Sequence, residues 1–537
     1  ETTLDAAAED APVFQMYDGY SEPVRTLPSH RILAINRGEK KGCLSVRIAV
    51  DHEDNIEWIY KRIYQRPSIF EGELHAAIED GYKRLLVPAL ERELRTQLTE
   101  AAEEKAISVF GHNLRQLLLQ PPLAGHTVLG LDPGYRTGCK VALVDATGNV
   151  RASDVIQLTR SDGERKAATQ SLLRLIKAHG ITLISIGNGT ASYETEQFVA
   201  ALIRDNNLKD VHYLITNEAG ASVYSASQLA KEELPDYDVT IRGAVSIARR
   251  VQDPLAELVK IDPQAIGVGQ YQHDVSQKEL KETLDATVED AVNYVGVDLN
   301  TASPALLNRI AGINTAIAKN IVAYRNEHGR FASRKALLKV SRLGDAAFTQ
   351  CAGFLRIYDG ETPLDSTAIH PESYELARSI LAELGASEED LHDRTKLPAL
   401  ALKTAQTEAA SLAKKLGAGV LTVTDILKAI ARPGRDPRED LPAPLTRQNI
   451  VKLSDLAVGT ILPGTVRNIT DFGAFIDIGL KQAGLLHISE MSHRRVHHPL
   501  DVLSVGDSLD VMIISIDEVR GRIGLSLKRI EKEKARA

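Results

Sequence analysis

The chain has 537 residues, of which 43% are apolar and 25% are charged, and its formal net charge at pH 7 is −8. This length predicts roughly three to four domains, and the composition is typical of globular proteins. No apolar run reaches the roughly 18 residues that cross a bilayer. The negative charge argues against nucleic-acid binding by the whole surface, so such binding would need local basic regions.

The chain contains three cysteines, Cys43, Cys139 and Cys351. Their spacing matches neither a zinc site nor a disulfide framework. No signal peptide is recognisable at the start of the sequence. We therefore expect a cytoplasmic protein that holds no metal and no cofactor and does not contact a membrane.

Residues 1–125 are predicted to form a helical scaffold. Charged and apolar residues alternate at helical spacing over 74–98 and 100–119, as on helices with one solvated face. The stretch 44–50 is the single strand candidate. Pro121-Pro122 marks the end of this domain.

Residues 126–267 have the pattern of a ribonuclease-H-like domain. Three antiparallel strands that lead into α/β alternation are the order expected for that fold. The motif Leu131-Asp132-Pro133-Gly134-Tyr135-Arg136-Thr137-Gly138 resembles the opening motif of YqgF-type domains, which are related to RuvC resolvases. The predicted strands are 128–131, 140–144, 150–158, 181–186 and 211–215, and the main predicted helices are 164–179 and 191–206.

RuvC-type nucleases hold two metal ions with carboxylates at strand ends. Asp132 ends the first strand, Glu218 follows the fifth, and Asp253 is the best candidate for a third carboxylate from a late helix. Each has a structural explanation too. Asp132 precedes Pro-Gly in a turn, Glu218 can lie in the first turn of a helix, and Asp253-Pro254 fits a helix N-cap.

Residues 268–357 resemble a tandem helix-hairpin-helix domain. The first hairpin contains Gly312 and Asn314, where Asn314 replaces the usual second glycine and is expected to tolerate left-handed geometry. The second hairpin contains Gly344. Hairpins of this kind direct backbone amides at phosphates without reading sequence, so we expect Gly312, Asn314, Lys319 and Gly344 to contact phosphate. The alternative is a structural helical pair.

The charge of this region supports nucleic-acid contact, since the range 296–357 contains nine basic residues and only three acidic ones. The acidic residues are Asp298, Glu327 and Asp345. The basic residues are Arg309, Lys319, Arg325, Arg330, Arg334, Lys335, Lys339, Arg342 and Arg356.

Residues 358–430 are predicted to be helical. The stretch 431–455 opens with A-R-P-G-R-D-P-R-E-D-L-P-A-P-L, which is rich in proline and charge and is typical of a linker. The last domain, 456–530, is therefore expected to be tethered and to move relative to the rest of the chain.

That last domain has the pattern of a five-stranded barrel. Alternation places Ala474 and Ile476 in the interior and Phe475 on the outer face. Phe472 and His487 are predicted to lie beside Phe475, and together these rings would form a platform for stacking bases. The alternative is that the two phenylalanines only cover a barrel end. The predicted strands are 460–469, 474–478, 484–487, 508–517 and 522–528.

The motifs G-T-V-x-x-I-x-x-F-G-A-F-I-D-I, G-L-L-H-I-S-E-M, V-G-D and G-R-I-G-L-S-L-K resemble the S1-type RNA-binding domain, which is an OB-fold. In that family, outer-face residues bind single-stranded RNA. The resemblance implies this role for Phe472, Phe475, His487, Asp517 and Arg522. The turn between Asp517 and Arg522 is about one residue longer than usual in the family.

The domain order and the motifs N-R-G-E-K, G-V-G-Q-Y-Q-H-D, P-L-D-S-T-A-I-H-P-E-S-Y and R-P-G-R-D-P-R resemble the Tex family of bacterial transcription accessory proteins. The resemblance implies a multidomain α+β protein that binds nucleic acid through its S1-type barrel. It also implies a YqgF-like domain without a working active site. Family members have a further N-terminal helical region, so we expect this chain to be part of a longer protein.

The sequence therefore predicts a non-enzymatic transcription accessory factor whose ligand is single-stranded RNA, with DNA as a second candidate ligand. One alternative is a metal-dependent nuclease that uses Asp132, Glu218 and Asp253. Another is a ribosome-associated RNA-binding factor, because an S1-type barrel serves translation equally well. RNA polymerase and the ribosome are the corresponding candidate partners.

Overall fold

The computed structural model describes residues 1–64, 66, 69–158, 161–441, 446–447, 457–470, 472–480, 483–496, 498–517 and 522–530. The turn 518–521 and most of the predicted linker after residue 441 lie outside the described residues. Within the described part, no helix is both long and apolar enough to cross a membrane. The chain divides into two compact units, Glu1–Gly111 with Val268–Thr283 and His112–Gly267 with Leu284–Ala537.

The first unit is mostly helical, as predicted. One α-helix covers most of the predicted pair at 74–98 and 100–119, since α5 continues through residue 99. A two-stranded sheet, in which Thr2 pairs with Val46, includes only the start of the predicted strand 44–50. The elements are β1 (Thr2–Leu4), α1 (Ala11–Phe14), α2 (Ser29–Lys40), β2 (Leu44–Val46), α3 (His52–Ile63), α4 (Glu71–Gly81) and α5 (Val87–Leu118), which ends in the second unit.

The segment Val268–Thr283 contacts the first unit, although the sequence places it with the hairpin domain. The Arg37 guanidinium explains this grouping. It donates to Asp274 Oδ2 at 2.8 Å and to the Gln270 carbonyl at 2.9 Å, and it lies over the Tyr271 ring. The motif G-V-G-Q-Y-Q-H-D is therefore fixed against α2 of the first unit.

In the second unit, a five-stranded sheet of order β5-β4-β3-β6-β7 confirms the ribonuclease-H-like prediction. Strands β3, β4 and β5 are antiparallel, and β6 and β7 run parallel to β3. The strands are β3 (Val128–Asp132), β4 (Cys139–Val144), β5 (Val150–Ile156), β6 (Leu183–Gly187) and β7 (His212–Thr216). The helices are α6 (Asp162–His179), α7 (Ser192–Asp205), α8 (Ala221–Ala226), α9 (Gln228–Glu233), α10 (Val239–Gln252) and α11 (Pro254–Leu258).

Two clusters of buried side chains cover the two faces of this sheet. Leu129 and Leu131 belong to the cluster with α6 and α7, whereas Val128 belongs to the cluster with α10, as alternation along β3 requires. Gly130 lets α10 approach closely, because a Cβ there would lie 2.3 Å from the Ala244 carbonyl oxygen. Helix α10 is thereby fixed above the strand that ends at Asp132.

The helix-hairpin-helix region is closed by a short parallel pair in which Val297 faces Leu355. The helical region after it has its own core, which includes Leu364, Ile380 and Val423. The elements are α12 (Gln277–Val295), β8 (Val297–Asp298), α13 (Pro304–Leu307), α14 (Thr315–His328), α15 (Asp345–Cys351), β9 (Leu355–Arg356), α16 (Tyr374–Glu383), α17 (Leu397–Gln406), α18 (Ala409–Leu416) and α19 (Val420–Ala431).

The C-terminal domain is a closed barrel of order β10-β11-β12-β14-β13, which confirms the predicted five strands. Four of the five neighbouring pairs are antiparallel, and β12 runs parallel to β14. A barrel of this kind fits an OB-fold. The strands are β10 (Ile461–Thr470), β11 (Gly473–Asp477), β12 (Gly484–His487), β13 (Ser508–Asp517) and β14 (Arg522–Ser526).

Candidate nucleic-acid interface

The outer face of the barrel carries a pair of aromatic rings. Ala474 and Ile476 are fully buried in the barrel interior, and Phe475 between them is partly exposed, as the alternation predicts. The Phe472 and Phe475 rings meet edge to face, with centroids 6.2 Å apart and planes at 88°. This arrangement fixes both rings while it leaves part of each accessible to a ligand.

His487 lies beside this pair at the end of β12 and is exposed. It faces Gly473 across the strands, and the Ile488 amide donates to the Phe472 carbonyl at 2.9 Å. The His487 Nδ1 atom accepts from the Ser489 amide at 3.3 Å. In the neutral ring the proton is therefore on Nε2, which makes Nε2 a hydrogen-bond donor.

Asp517 and Arg522 face each other across β13 and β14, and both are exposed. Strand β14 lies beside β12, where Leu485 faces Gly524. The five candidate residues thus lie on or next to four neighbouring strands. Phe472, Phe475 and His487 are close together, and Asp517 and Arg522 form the far margin of this surface.

Asp477 shares the outer face with Phe475 but is only 5% exposed. The Arg467 guanidinium donates to its Oδ2 at 2.7 and 3.1 Å, and Arg447 lies 3.4 Å from its Oδ1. Burial alone would raise the pKa of Asp477, but Arg467 and Arg447 hold it below the usual value. The carboxylate is therefore charged inside an ion cluster.

The same cluster connects the barrel to the α/β domain. Arg447 makes two backbone hydrogen bonds with Tyr213 of the edge strand β7, at 2.9 and 2.7 Å, and its guanidinium lies 3.5 Å from Glu196 on α7. Elsewhere Asn113 Nδ2 is 3.2 Å from Asn468 Oδ1. Arg447, a residue of the predicted linker, thus connects the barrel to the α/β domain, whereas the sequence predicts a linker that leaves the barrel free to move.

Part of the predicted linker is also packed. Arg438 is 4% exposed and donates to Asp436 Oδ2 at 2.7 Å and to Asp253 Oδ1 at 2.8 Å. The charges that suggest a solvated linker are therefore paired with each other and with the α/β domain. The sequence could not show this, because Asp253 is 185 residues away.

In the first hairpin, Gly312 has the left-handed backbone, with φ at +81°. Asn314 is extended, with φ −89° and ψ 172°, and its side chain caps α14 by accepting from the Ile317 amide at 3.0 Å. Asn314 therefore does not use the left-handed geometry that asparagine tolerates, because the residue acts as an N-cap and N-caps adopt extended backbone.

The second hairpin repeats this geometry with other residues. Gly344 has the N-cap position of α15 and is exposed. Arg342, two residues earlier like Gly312, has φ at +68°. A non-glycine residue in the left-handed backbone region is strained by roughly 1–3 kcal/mol, and such strained residues cluster at functional sites. Asn320 of α14 donates to the Ser341 carbonyl at 2.9 Å and so connects the two hairpins.

Six of the nine basic residues of this region fall into two groups. Arg334 is 1% exposed and donates to the carbonyls of Leu355, Thr367 and Ile369. Arg356 is buried as well, which lowers its pKa to about 10. These two are structural. Four others are exposed and have no ion-pair partner within the described residues, namely Lys319, Lys335, Lys339 and Arg342.

Asp132 and Glu218 share a pocket at the end of the sheet. A Cβ at Gly243 of α10 would lie 2.8 Å from Asp132 Oδ2, and Gly187 and Gly189 leave the space that Glu218 fills. The G-N-G-T turn is therefore shaped around a carboxylate rather than a nucleotide. Burial raises the pKa of both acids, and the nearby Asp132 raises that of Glu218 further.

Asp253 does not join this pair. Its Oδ1 caps α11 by accepting from the Ala256 amide at 3.1 Å, as the N-cap explanation predicts, and it also accepts from Arg438. Gly243, the residue of α10 that faces Asp132, is ten residues before Asp253, or about 15 Å along the helix. The structure thus brings together two of the three predicted carboxylates.

Sequence reasoning missed Lys140 in this pocket. It faces Asp132 across β3 and β4, is 8% exposed, and donates to the Thr137 hydroxyl. Its ammonium opposes the effect of burial on the pKa of Asp132. The available signal was one lysine in the otherwise apolar strand C-K-V-A-L-V, because a buried lysine needs a nearby acid.

Matches to family models cover most of the chain. These models are described as Tex central region-like (2–110), Tex protein YqgF-like domain (126–252), helix-hairpin-helix motif (292–356), HHH domain (362–438) and S1 RNA binding domain (455–528). The HHH domain covers the stretch that the sequence predicts only as helical, together with the first residues of the predicted linker.

Full-length relatives are similar over almost the whole chain. YdcI of Bacillus subtilis is 49% identical over 526 residues, which is 97% of this chain and 72% of that protein. The transcriptional accessory protein Tex of Neisseria gonorrhoeae is 46% identical over 521 residues, which is 96% of this chain and 67% of that protein. Among solved structures, GSP13 from Bacillus subtilis is similar over 14% of this chain and 58% of its own, with 36% identity and a TM-score of 0.14.

We expect Asp477→Asn to lower the free energy of unfolding by about 2 kcal/mol near pH 7, because Arg447 and Arg467 lose the buried carboxylate that they contact. The folded-state pKa of Asp477 is depressed. Its contribution is therefore present above the unfolded-state pKa and is lost as the pH falls through the folded-state pKa. Urea unfolding at several pH values measures the difference. Asp510→Asn, an exposed change in the same barrel, is the control, and equal losses for both variants would contradict the cluster's role.

We expect Arg342→Gly to weaken binding to duplex DNA while it raises the free energy of unfolding by up to about 1 kcal/mol, because the strain at φ +68° exceeds the entropic cost of glycine. Anisotropy with a labelled duplex and urea unfolding measure the two effects. Arg342→Lys keeps charge and strain and serves as the control. A loss of stability in Arg342→Gly would show that the backbone is not strained there.

Proposed function

Because this chain belongs to the Tex family, we propose that it binds single-stranded RNA on the outer face of its barrel and acts as a transcription accessory factor. The name of the gonococcal relative, transcriptional accessory protein Tex, supports a role in transcription. The S1 RNA binding model that matches 455–528 supports the ligand. The site of action in this proposal is the cytoplasm.

The observation that carries the proposal is the edge-to-face pair of Phe472 and Phe475 beside the exposed His487. Rings on the outer face of a small barrel lower solubility and contribute little to the core. They offer stacking surfaces for bases, and each stacked base contributes about 1–3 kcal/mol. Since all four bases have a flat face, such a platform tolerates many sequences.

The hairpins supply a second contact in this proposal. The N-terminus of α14 is near the exposed Lys319, and Arg342 projects from the neighbouring hairpin. Helix N-termini and cations both favour phosphate. Gly344 leaves open space at the second hairpin, whereas Gly312 allows the first hairpin to pack against Gln350 of α15. We therefore assign these hairpins to sequence-independent contacts with DNA or RNA phosphates.

The proposal includes no hydrolysis. Two-metal catalysis needs enough carboxylates to hold both cations, but the shared pocket holds Asp132 and Glu218, and Asp253 is engaged with α11 and Arg438. Among the residues that the structure describes, no group of three or more His, Cys, Asp and Glu could hold a metal ion. The Lys140 ammonium already supplies positive charge next to Asp132.

We expect Phe475→Ala to weaken the binding of single-stranded oligouridine by about 1–3 kcal/mol, because one stacking surface is lost. Fluorescence anisotropy measures the affinity, and thermal unfolding shows whether the barrel remains folded. Phe70→Ala, which removes a 63% exposed phenyl ring outside the barrel, is the matched control. Unchanged affinity with a large loss of stability would mean that Phe475 is a core residue and not a platform.

We expect no cleavage of single-stranded RNA, flaps or junctions in the presence of Mg²⁺ or Mn²⁺ above the level of an Asp132→Asn variant. The reason is that two carboxylates beside an ammonium cannot hold two cations against their mutual repulsion. Gel assays on labelled substrates measure cleavage. Metal-dependent cleavage that disappears in both Asp132→Asn and Glu218→Gln would establish the nuclease function instead.

Co-purification from lysate separates the two candidate partners. The proposal predicts that RNA polymerase, and not the ribosome, is retained by the tagged chain. The lysate is treated with ribonuclease before capture, so that a shared RNA cannot connect the two. Retention of ribosomes alone would move the proposed function from transcription to translation.

A further inference from the structure

An open groove of about 980 Å³ lies at one end of the barrel. Four cationic side chains line it, together with one carboxylate and one imidazole. We call it the basic groove, and its charged and titratable residues are Glu490, His493, Arg494, Arg495, Lys528 and Arg529. In a chain with a net charge of −8, a concentration of positive charge of this kind marks a binding surface for an anionic partner.

The charges within the groove are unequally satisfied. Lys528 Nζ lies 3.0 Å from Glu490 Oε1, and Arg529 Nε lies 3.5 Å from Glu490 Oε2. One carboxylate thus serves two cations. Arg494 and Arg495 are exposed and have no ion-pair partner within the described residues. The four cations exceed the one carboxylate by three charges, and two of these three belong to Arg494 and Arg495.

The groove begins where the aromatic platform ends. Ile488 and Ser489 are part of its wall and directly follow His487. Ser489 Oγ is 2.9 Å from His487 Nδ1, and Lys528 Nζ donates to the Ser489 carbonyl at 2.6 Å. The residues that directly follow His487 therefore line the same groove as Arg494 and Arg495.

We propose that the basic groove binds the phosphates of the same RNA strand whose bases stack on Phe472 and Phe475. The inference rests on the proposed function and assigns Arg494 and Arg495 as its phosphate-binding residues. Guanidinium groups match phosphate oxygens with two parallel hydrogen bonds and are weakly hydrated. Because the groove adjoins the aromatic platform, a nucleic-acid strand can use both surfaces, with its bases on the rings and its phosphates in the groove. An acidic protein segment would use the groove alone, so we favour the nucleic-acid strand.

Salt dependence separates phosphate contacts from stacking. For single strands, each neutralised phosphate contributes about 0.7 to the slope of log affinity against log salt concentration. The double variant Arg494→Gln/Arg495→Gln should therefore reduce the magnitude of this slope by about 1.4. Phe475→Ala should weaken binding without changing the slope, since stacking releases no counterions.

Oligonucleotide length provides the second comparison. An oligouridine of about 4 nucleotides fits the smallest site of an OB-fold, and one of about 12 extends beyond it. The double glutamine variant should bind the long oligonucleotide more weakly than the unchanged chain but bind the short one equally well. Arg494→Lys/Arg495→Lys should retain the salt slope. Arg174→Gln/Lys177→Gln, an equal loss of charge on exposed positions of α6, should behave like the unchanged chain.

The outcomes that overturn the inference are distinct from those that overturn the proposed function. An unchanged salt slope in the double glutamine variant, or equal losses for short and long oligonucleotides, would show that the groove does not hold the extended strand. Displacement of RNA by polyglutamate from the unchanged chain but not from the double variant, with the RNA slope unchanged, would identify an acidic protein segment as the ligand. Failure of the proposed function appears instead as a Phe475→Ala variant with unchanged affinity for both lengths.

Discussion

The position of the barrel depends on the Arg447 guanidinium, which lies between Glu196 of the α/β domain and Asp477 of the barrel. A buried charge is stable only when its partners are in place. Burial and the neighbouring Asp477 raise the pKa of Glu196, whereas Arg447 opposes this. Asp477 and Phe475 lie on the same face of β11. The ion cluster at Asp477 therefore also fixes the position of the aromatic platform relative to the α/β domain.

Buried arginines act in the same way elsewhere in the second unit. Arg334 donates to carbonyls of two segments, one at Leu355 and one at Thr367 and Ile369. Arg438 connects the end of the helical region to α11. Each satisfies several acceptors that would be costly to leave unpaired in the interior. In this protein arginine therefore serves two opposite roles, as an internal connector when it is buried and as a surface cation when it is exposed.

Local pattern was sufficient to predict the barrel and the α/β domain, because alternation in 474–478 and the strand order of 126–267 depend on neighbours in the sequence. The same holds for the Asp253 N-cap. Local sequence pattern could not predict the burial of Lys140, Arg334 and Arg438, because their partners are distant in the sequence and are set by the fold. Counting basic residues overestimated the cationic surface of the hairpins, since Arg334 and Arg356 are indistinguishable in sequence from Lys319 and Arg342. The burial of Arg438 could not be predicted either, because the stretch that contains it has the composition of a linker.

The two fixed arginines of the interdomain segment have a mechanical consequence. Arg438 contacts α11 and Arg447 pairs with β7. The nine residues of chain from one to the other can span at most about 30 Å. Tension on a strand held by the barrel is transmitted to the backbone pair of Tyr213 and Arg447, whose two hydrogen bonds are few compared with those between barrel strands. We expect a barrel under load to separate from the sheet edge before its own strands separate, because fewer hydrogen bonds hold it there.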